Sequence, residues 1–189
     1  MELGKFKIAV AIALMSGATV ALADVTISGK SDQNSVLNDA TLLNEASNGD
    51  AKATQSIASN AGQVFIAGKS EQTFSIESAW AKNIADGTHS TAIQNMSTNS
   101  GDVSIGGGGK STQETKMKAG STALNHAGGS HSFASQSVSS NFGKVTINGE
   151  SKQYTELGAG TSLMNVATGA YSMARQNVST NTSCGETCR

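Results

Sequence analysis

The chain contains no proline, aromatic residues make up only 4% of it, and its formal net charge is −1. Each scarcity excludes something. Disordered polar segments are commonly enriched in proline, whereas a ladder of paired strands rejects it because the ring removes a backbone donor. A charge this weak gives no electrostatic footprint for nucleic acid or an anionic lipid surface. So few large side chains do not fill an ordinary globular core; either small residues are packed by repetition or the chain stays unfolded. Cysteine is confined to Cys184 and Cys188, and no apolar run is long enough to span a bilayer.

What is present begins with a leader. Lys5 and Lys7 precede an apolar stretch from Ile8 to Met15, and Ala21-Leu22-Ala23 offers small residues just before Asp24. This reads as a secretory signal peptide over residues 1–23, and it predicts an exported, soluble mature chain of net charge about −2.

The remainder is written four times. Units opening at Val25, Val64, Val103 and Val145 are spaced 39, 39 and 42 residues apart. Each starts on V-x-I, whose alternation puts both apolar residues on one face of a strand. A first glutamine follows at Gln33, Gln72, Gln113 and Gln153, then an asparagine at Asn44, Asn83, Asn125 and Asn165 with an alanine two positions on. Eleven residues after each asparagine comes Gln55, Gln94, Gln136 or Gln176, and five further on Asn60, Asn99, Asn141 or Asn181. The irregularities are local: Gly106 to Gly109 lengthens the third unit, and one extra residue enters each of the last two units ahead of the central asparagine. Such spacing predicts one supersecondary unit per repeat, with insertions confined to turns. The expected units are 25–63, 64–102, 103–144 and 145–183, followed by a tail over 184–189. Gly62, Gly101 and Gly143, two residues after the last asparagine, are expected to turn the chain back toward the next V-x-I.

β-Branched residues at the unit starts, and Gly87, Gly129 and Gly169 after the central asparagine, argue against helices. The expected fold is therefore all-β, a β-solenoid or cross-β stack of four imperfect repeats. Strands in adjacent layers of such a stack lie about 4.8 Å apart, so identical amide side chains donate NH2 to the carbonyl above and form continuous ladders. The sixteen Gln and Asn positions named above are the candidate ladder residues.

Charge adds a second pattern. After the motif glycine, units one to three carry Lys30, Lys69 and Lys110, but unit four carries Glu150; two positions on, the order is Asp32, Glu71, Thr112 and Lys152. If the fourth unit of one molecule stacked on the first unit of the next, Glu150 would face Lys30 and Lys152 would face Asp32. That is a heterologous contact, which continues as a fibre instead of closing. Ordinary surface variation is the competing account, since exposed pairs contribute only about 0.2–1 kcal/mol.

Motifs for chemistry are weak. Gly109-Lys110-Ser111 lacks the earlier glycine that a phosphate-binding loop requires, Ser104 standing there, and G-K-S recurs at Gly29 and Gly68 in the same phase. A turn-and-ladder role fits better. His89, His126 and His131 are at no recognisable ligand spacing and are expected at incidental surface positions. No Ser/His/Asp arrangement stands out, so no catalytic residue, metal or cofactor is expected and the chain is not read as an enzyme. Phe74, Trp80, Phe133, Tyr154 and Tyr171 are isolated along the sequence and read as packing groups or surface contacts. For Cys184 and Cys188, in an oxidising exported setting, a disulfide is the first reading. A short intramolecular loop, an intermolecular bond and recognition by an export machine stay open.

These residues together resemble bacterial functional amyloid subunits, the curli and Fap-type biofilm fibres. The likeness lies in an exported, proline-free chain with imperfect repeats, and in segments such as Asn165-Val166-Ala167-Thr168-Gly169 before Gln176-Asn177, or Asn83-Ile84-Ala85-Asp86-Gly87 before Gln94-Asn95. Curlin repeats are about half this length, so the Fap-type subunits look closer. Those carry a C-terminal C-x-x-C where this chain has C-x-x-x-C. The resemblance implies passage through the periplasm and outer membrane by an export machinery, and self-assembly head-to-tail, with fellow subunits, into an extracellular fibre of a biofilm matrix. A monomeric secreted β-solenoid adhesin is the alternative. Neither reading involves nucleic acid or membrane insertion.

Overall fold

A computed structural model describes Val10–Ala11 and residues 24–183. Most of the expected leader, and the tail with Cys184 and Cys188, lie outside the described residues. Within them the chain forms strands and turns and no helix. The first strand, β1 (Val10–Ala11), lies in the expected leader. The first turn of the fold is β2 (Val25–Ile27), β3 (Lys30–Asn38), β4 (Thr41–Ser47) and β5 (Lys52–Ile57). The second is β6 (Asn60–Ile66), β7 (Lys69–Glu77), β8 (Trp80–Asp86) and β9 (Thr91–Met96). The third is β10 (Asn99–Ile105), β11 (Lys110–Met117), β12 (Thr122–Gly128) and β13 (Phe133–Val138). The fourth is β14 (Asn141–Ile147), β15 (Glu150–Leu157), β16 (Ser162–Ala167) and β17 (Met173–Val178), and β18 (Asn181–Ser183) begins another.

Every strand pairs in parallel with its counterpart one turn away, which stacks the turns into four sheets: β1-β4-β8-β12-β16, β2-β6-β10-β14-β18, β3-β7-β11-β15 and β5-β9-β13-β17. The molecule is a parallel β-solenoid of four turns, as the repeat predicts. Register is exact in kind as well as in number: Asn44 pairs with Asn83, Asn83 with Asn125 and Asn125 with Asn165. The extra residues are expelled into turns. Gly106 to Gly109 folds into a loop closed by Gly109 N–H donating to Gly106 O at 2.9 Å, after which Lys110 resumes pairing with Lys69. The extra residue of the last two units sits in the turns at Lys118–Ser121 and Gly158–Thr161, each closed by a backbone bond between its end residues.

Alternation decides what is inside. In β7 every second residue from Ser70 to Ile76 is buried while its neighbours are partly exposed, as period-two geometry demands. Three apolar clusters result. The largest gathers Phe74, Ile76, Met96, Met117 and Val138 with Ala81 and Ala123; a second is built of alanines, including Ala53, Ala85, Ala92, Ala127 and Ala134. The third is the V-x-I stripe itself, Ile27, Val64, Ile66, Val103 and Ile105. Small side chains let the walls carrying β8 and β9 come close enough for Asn83 Nδ2 to reach the carbonyl of Ile93 at 2.9 Å.

One expectation is corrected. Gly62, Gly101 and Gly143 do not form the turn between units; they lie inside β6, β10 and β14. The chain instead reverses just before the last asparagine, where Ala58, Ser97, Ser139 and Ser179 take positive φ. Glycine is required in the strand for a different reason: Gly101 has φ 113°, and a Cβ there would meet Gly62 O at 2.3 Å. The V-x-I of the second, third and fourth repeats is consequently the second half of a strand that begins at Asn60, Asn99 or Asn141.

Candidate functional site: amide ladders along the stack

Three of the four amide columns are continuous side-chain ladders. Asn44 Nδ2 donates to Asn83 Oδ1 at 2.7 Å, Asn83 to Asn125 at 2.8 Å and Asn125 to Asn165 at 2.7 Å. Asn60 donates to Asn99 at 2.9 Å, Asn99 to Asn141 at 2.8 Å and Asn141 to Asn181 at 2.7 Å. The Gln55, Gln94, Gln136 and Gln176 column runs the other way: Gln94, Gln136 and Gln176 donate Nε2–H to the glutamine one turn back, at 2.8, 2.7 and 2.5 Å. Both asparagine ladders point toward the last turn and the glutamine ladder points toward the first. The fourth column, Gln33, Gln72, Gln113 and Gln153, is also in register. Its glutamines mostly reach sideways: Gln33, Gln72 and Gln113 donate to Asn60, Asn99 and Asn141 at 2.7, 2.9 and 3.0 Å, and only Gln153 donates along the column, to Gln113 at 3.1 Å.

These groups are deeply placed. Gln72, Asn83, Gln94, Asn99, Gln113, Asn125, Gln136 and Asn141 are all 0% exposed. A buried amide left without partners costs about 1–3 kcal/mol, so the ladder is what makes so polar an interior tolerable. Ser111, the serine of the phosphate-loop-like G-K-S, belongs to it, accepting from Asn99 Nδ2 at 3.0 Å.

At the ends of the stack the same columns come out into solvent. Leu157 pairs with Met117, which pairs with Ile76. Ile76 and Met117 are 0% and 1% exposed, but Leu157 is 51% exposed. Gln33 and Gln153 are likewise only partly buried, and β15, β16 and β17 carry no further strand on their outer edge among the described residues.

The charged columns are resolved mainly inside the molecule. Lys30 meets Asp32 at 2.7 Å and Lys69 meets Glu71 at 2.8 Å, each within its own strand. The third unit has Thr112 instead of an acid, and Lys110 finds its partner one turn on, in Glu150 at 3.2 Å. Glu150 also meets Lys152 at 2.7 Å. Hydrogen bonds from Lys152 first, and then Lys110, hold the Glu150 carboxyl below its ordinary value, while Asp32 holds the Lys30 ammonium above its own.

The aromatic and histidine residues that look isolated along the sequence are not isolated in space. Phe74 is fully buried, Trp80 has Lys82 Nζ 4.2 Å from its ring centre, and Arg175 lies over Phe133 at 5.6 Å. His89, His131 and Tyr171 stack on one another in consecutive turns. His126 stands apart, with Nδ1 3.6 Å from Asp86. Sequence spacing hid the histidine and Arg175 pairings because their partners are about a turn away, whereas Trp80 and Lys82 are two residues apart in one strand.

Fold and site define a class, the parallel β-solenoids, here with an amide-laddered interior and, among the described residues, no strand on the outer edge of β15, β16 and β17. Compared with family models, with curated proteins and with solved structures, the chain matches none.

Proposed function

We propose that this chain is a secreted structural subunit that assembles end to end into an extracellular amyloid-like fibre contributing to a biofilm matrix or to surface adhesion. The observation that carries the reading is Leu157: an apolar column buried at Ile76 and Met117, and partly buried at Leu37, ends in the last turn on a side chain 51% exposed. Stacked-repeat proteins that stay monomeric end in polar capping repeats, and an uncapped strand edge templates another chain. Ladder polarity supports it too. The first turn ends on an Asn44 carbonyl and the last on an Asn165 NH2, so a second copy added head-to-tail continues each asparagine ladder in the same sense. Export through the periplasm and outer membrane, by a dedicated machinery and with companion subunits, belongs to the same proposal.

Incubation of the chain from Asp24 onward with thioflavin T, followed by fibre diffraction, tests it. Fibres with a meridional spacing of about 4.7–4.8 Å are expected; a persistently monomeric product overturns the reading. A second reading, a monomeric adhesin, is favoured by a groove of about 310 Å³ on the outer face of the β2-β6-β10-β14 sheet, where Phe65 lies with Gln63, Asp102 and Lys144. That reading predicts a soluble monomer with a β-type circular dichroism spectrum.

A further inference from the structure

The turns joining β4 to β5, β8 to β9, β12 to β13 and β16 to β17 bring four distant residues into one column: Asp50, His89, His131 and Tyr171. Each stands two residues ahead of a strand position in register with the others, Lys52, Thr91, Phe133 and Met173. All four have left-handed backbones, with φ of 59°, 60°, 58° and 58°. Their backbones are tied together, since the N–H groups of Asp50, His89 and His131 each donate to the neighbouring turn at 2.8 Å. The side chains project outward. His89 and His131 stack with ring centres 5.0 Å apart and planes 19° from parallel, and Tyr171 stacks on His131 at 5.0 Å. Asp50 Oδ1 lies 3.8 Å from His89 Nδ1.

A left-handed turn position accounts for Asp or His at any one of these sites, because those residues tolerate positive φ better than most. It does not account for a carboxylate and two imidazoles in successive layers. We propose that Asp50, His89 and His131 form a binding site for a late transition-metal dication, Cu²⁺ in preference to Zn²⁺. Imidazole nitrogens suit both ions, and the general order of divalent affinities places Cu²⁺ first.

Two imidazole nitrogens held about 2.0 Å from one tetragonal Cu²⁺ lie about 2.8 Å apart when adjacent and about 4 Å apart when opposite. The stacked rings are wider than that, and among the described residues no three such groups already converge on a point. Closure therefore requires side-chain rotation: on binding, both exposed rings turn toward the ion and the Asp50 carboxylate turns in as the third donor. Tyr171 covers the far face of the His131 ring, and water completes the coordination.

The test is a Cu²⁺ titration of the full chain carrying Cys184→Ser and Cys188→Ser, so that thiols neither bind the ion nor reduce it. Calorimetry should give one Cu²⁺ per chain, electron paramagnetic resonance should report two nitrogen ligands, and Zn²⁺ should bind the same site more weakly. His89→Asn and His131→Asn keep a residue suited to positive φ, and each should lower the affinity tenfold or more, whereas His126→Asn should leave it unchanged. Circular dichroism confirms that each variant is folded. Undiminished binding in the double His89→Asn/His131→Asn variant, or two independent single-nitrogen sites, overturns the proposal; undiminished binding in Asp50→Asn overturns the three-donor site.

Discussion

Asn83 and Asn125 are 42 residues apart in sequence, yet Asn83 Nδ2 lies 2.8 Å from Asn125 Oδ1. Asn125 Nδ2 in turn reaches Asn165 Oδ1 and the carbonyls of Ala92 and Ser135 at 2.7, 3.1 and 3.0 Å. One side chain thus joins three turns and both walls. Asn125→Leu leaves Asn83 Nδ2 its bonds to Ala53 and Ile93 but takes a donor from Asn165 Oδ1 and from the Ala92 and Ser135 carbonyls, and it should cost about 2–4 kcal/mol, each orphaned group contributing about 1–3. Asn44→Leu, at the half-exposed end of the same column, should cost clearly less. Urea unfolding of the two variants measures the difference.

Glycine offers an internal control. Gly101→Ala places a methyl group 2.3 Å from Gly62 O at a φ of 113°, whereas Gly107 has nothing within 4 Å. The first change should prevent the turns from stacking or lower the melting temperature steeply. Gly107→Ala should be nearly silent in the same melting experiment.

Met117 and Leu157 share a column but differ in burial, at 1% and 51% exposed. Met117→Ala should destabilise the subunit by about 2–5 kcal/mol, the usual range for emptying such a site. Leu157→Glu should leave subunit stability almost unchanged while slowing fibre elongation, because it puts a charge on the end face. Elongation as fast as in the parent chain would remove Leu157 from the junction.

Charge at the last turn gives a pH and salt dependence. Glu150 has its carboxyl held below the ordinary value of 4.5 by Lys152 and Lys110. Its contribution is therefore complete above that value and is lost as pH falls through the lower folded value; thermal melts across acidic pH should show the loss diminished in Glu150→Gln. Exchanging the two signs, Glu150→Lys with Lys152→Glu, sets like charges face to face in a head-to-tail junction. Elongation should slow at low salt and recover as salt rises, since screening at about 1 M ionic strength reaches down to about 3 Å.

Much of this was legible in the repeat. In-phase Val, Gln and Asn positions imply parallel in-register layers, because only stacking of equivalent strands brings equivalent residues together. The insertions were legible as turns for the same reason: a strand cannot absorb one residue without reversing its faces. The role of Gly62, Gly101 and Gly143 was not. A glycine after an asparagine signals a turn by local preference, but here the close approach of the preceding turn's backbone decides, and the reversal falls at Ala58 and its counterparts.

The sideways bonds of Gln33, Gln72 and Gln113 were equally hidden, because the position of one wall against another is no property of a single strand. The same holds for Lys110 and Glu150, whose sign reversal reads in sequence as a contact between molecules and is answered in the fold within one. By itself the sequence determined the period, the strand faces and the columns, since these follow from alternation and repeat spacing. Only the tertiary structure decided which columns bond to themselves or to neighbours, that His89, His131 and Tyr171 stack, and that Leu157 is left half exposed in the last turn. Those outcomes depend on the distance between walls and turns, which no local preference encodes.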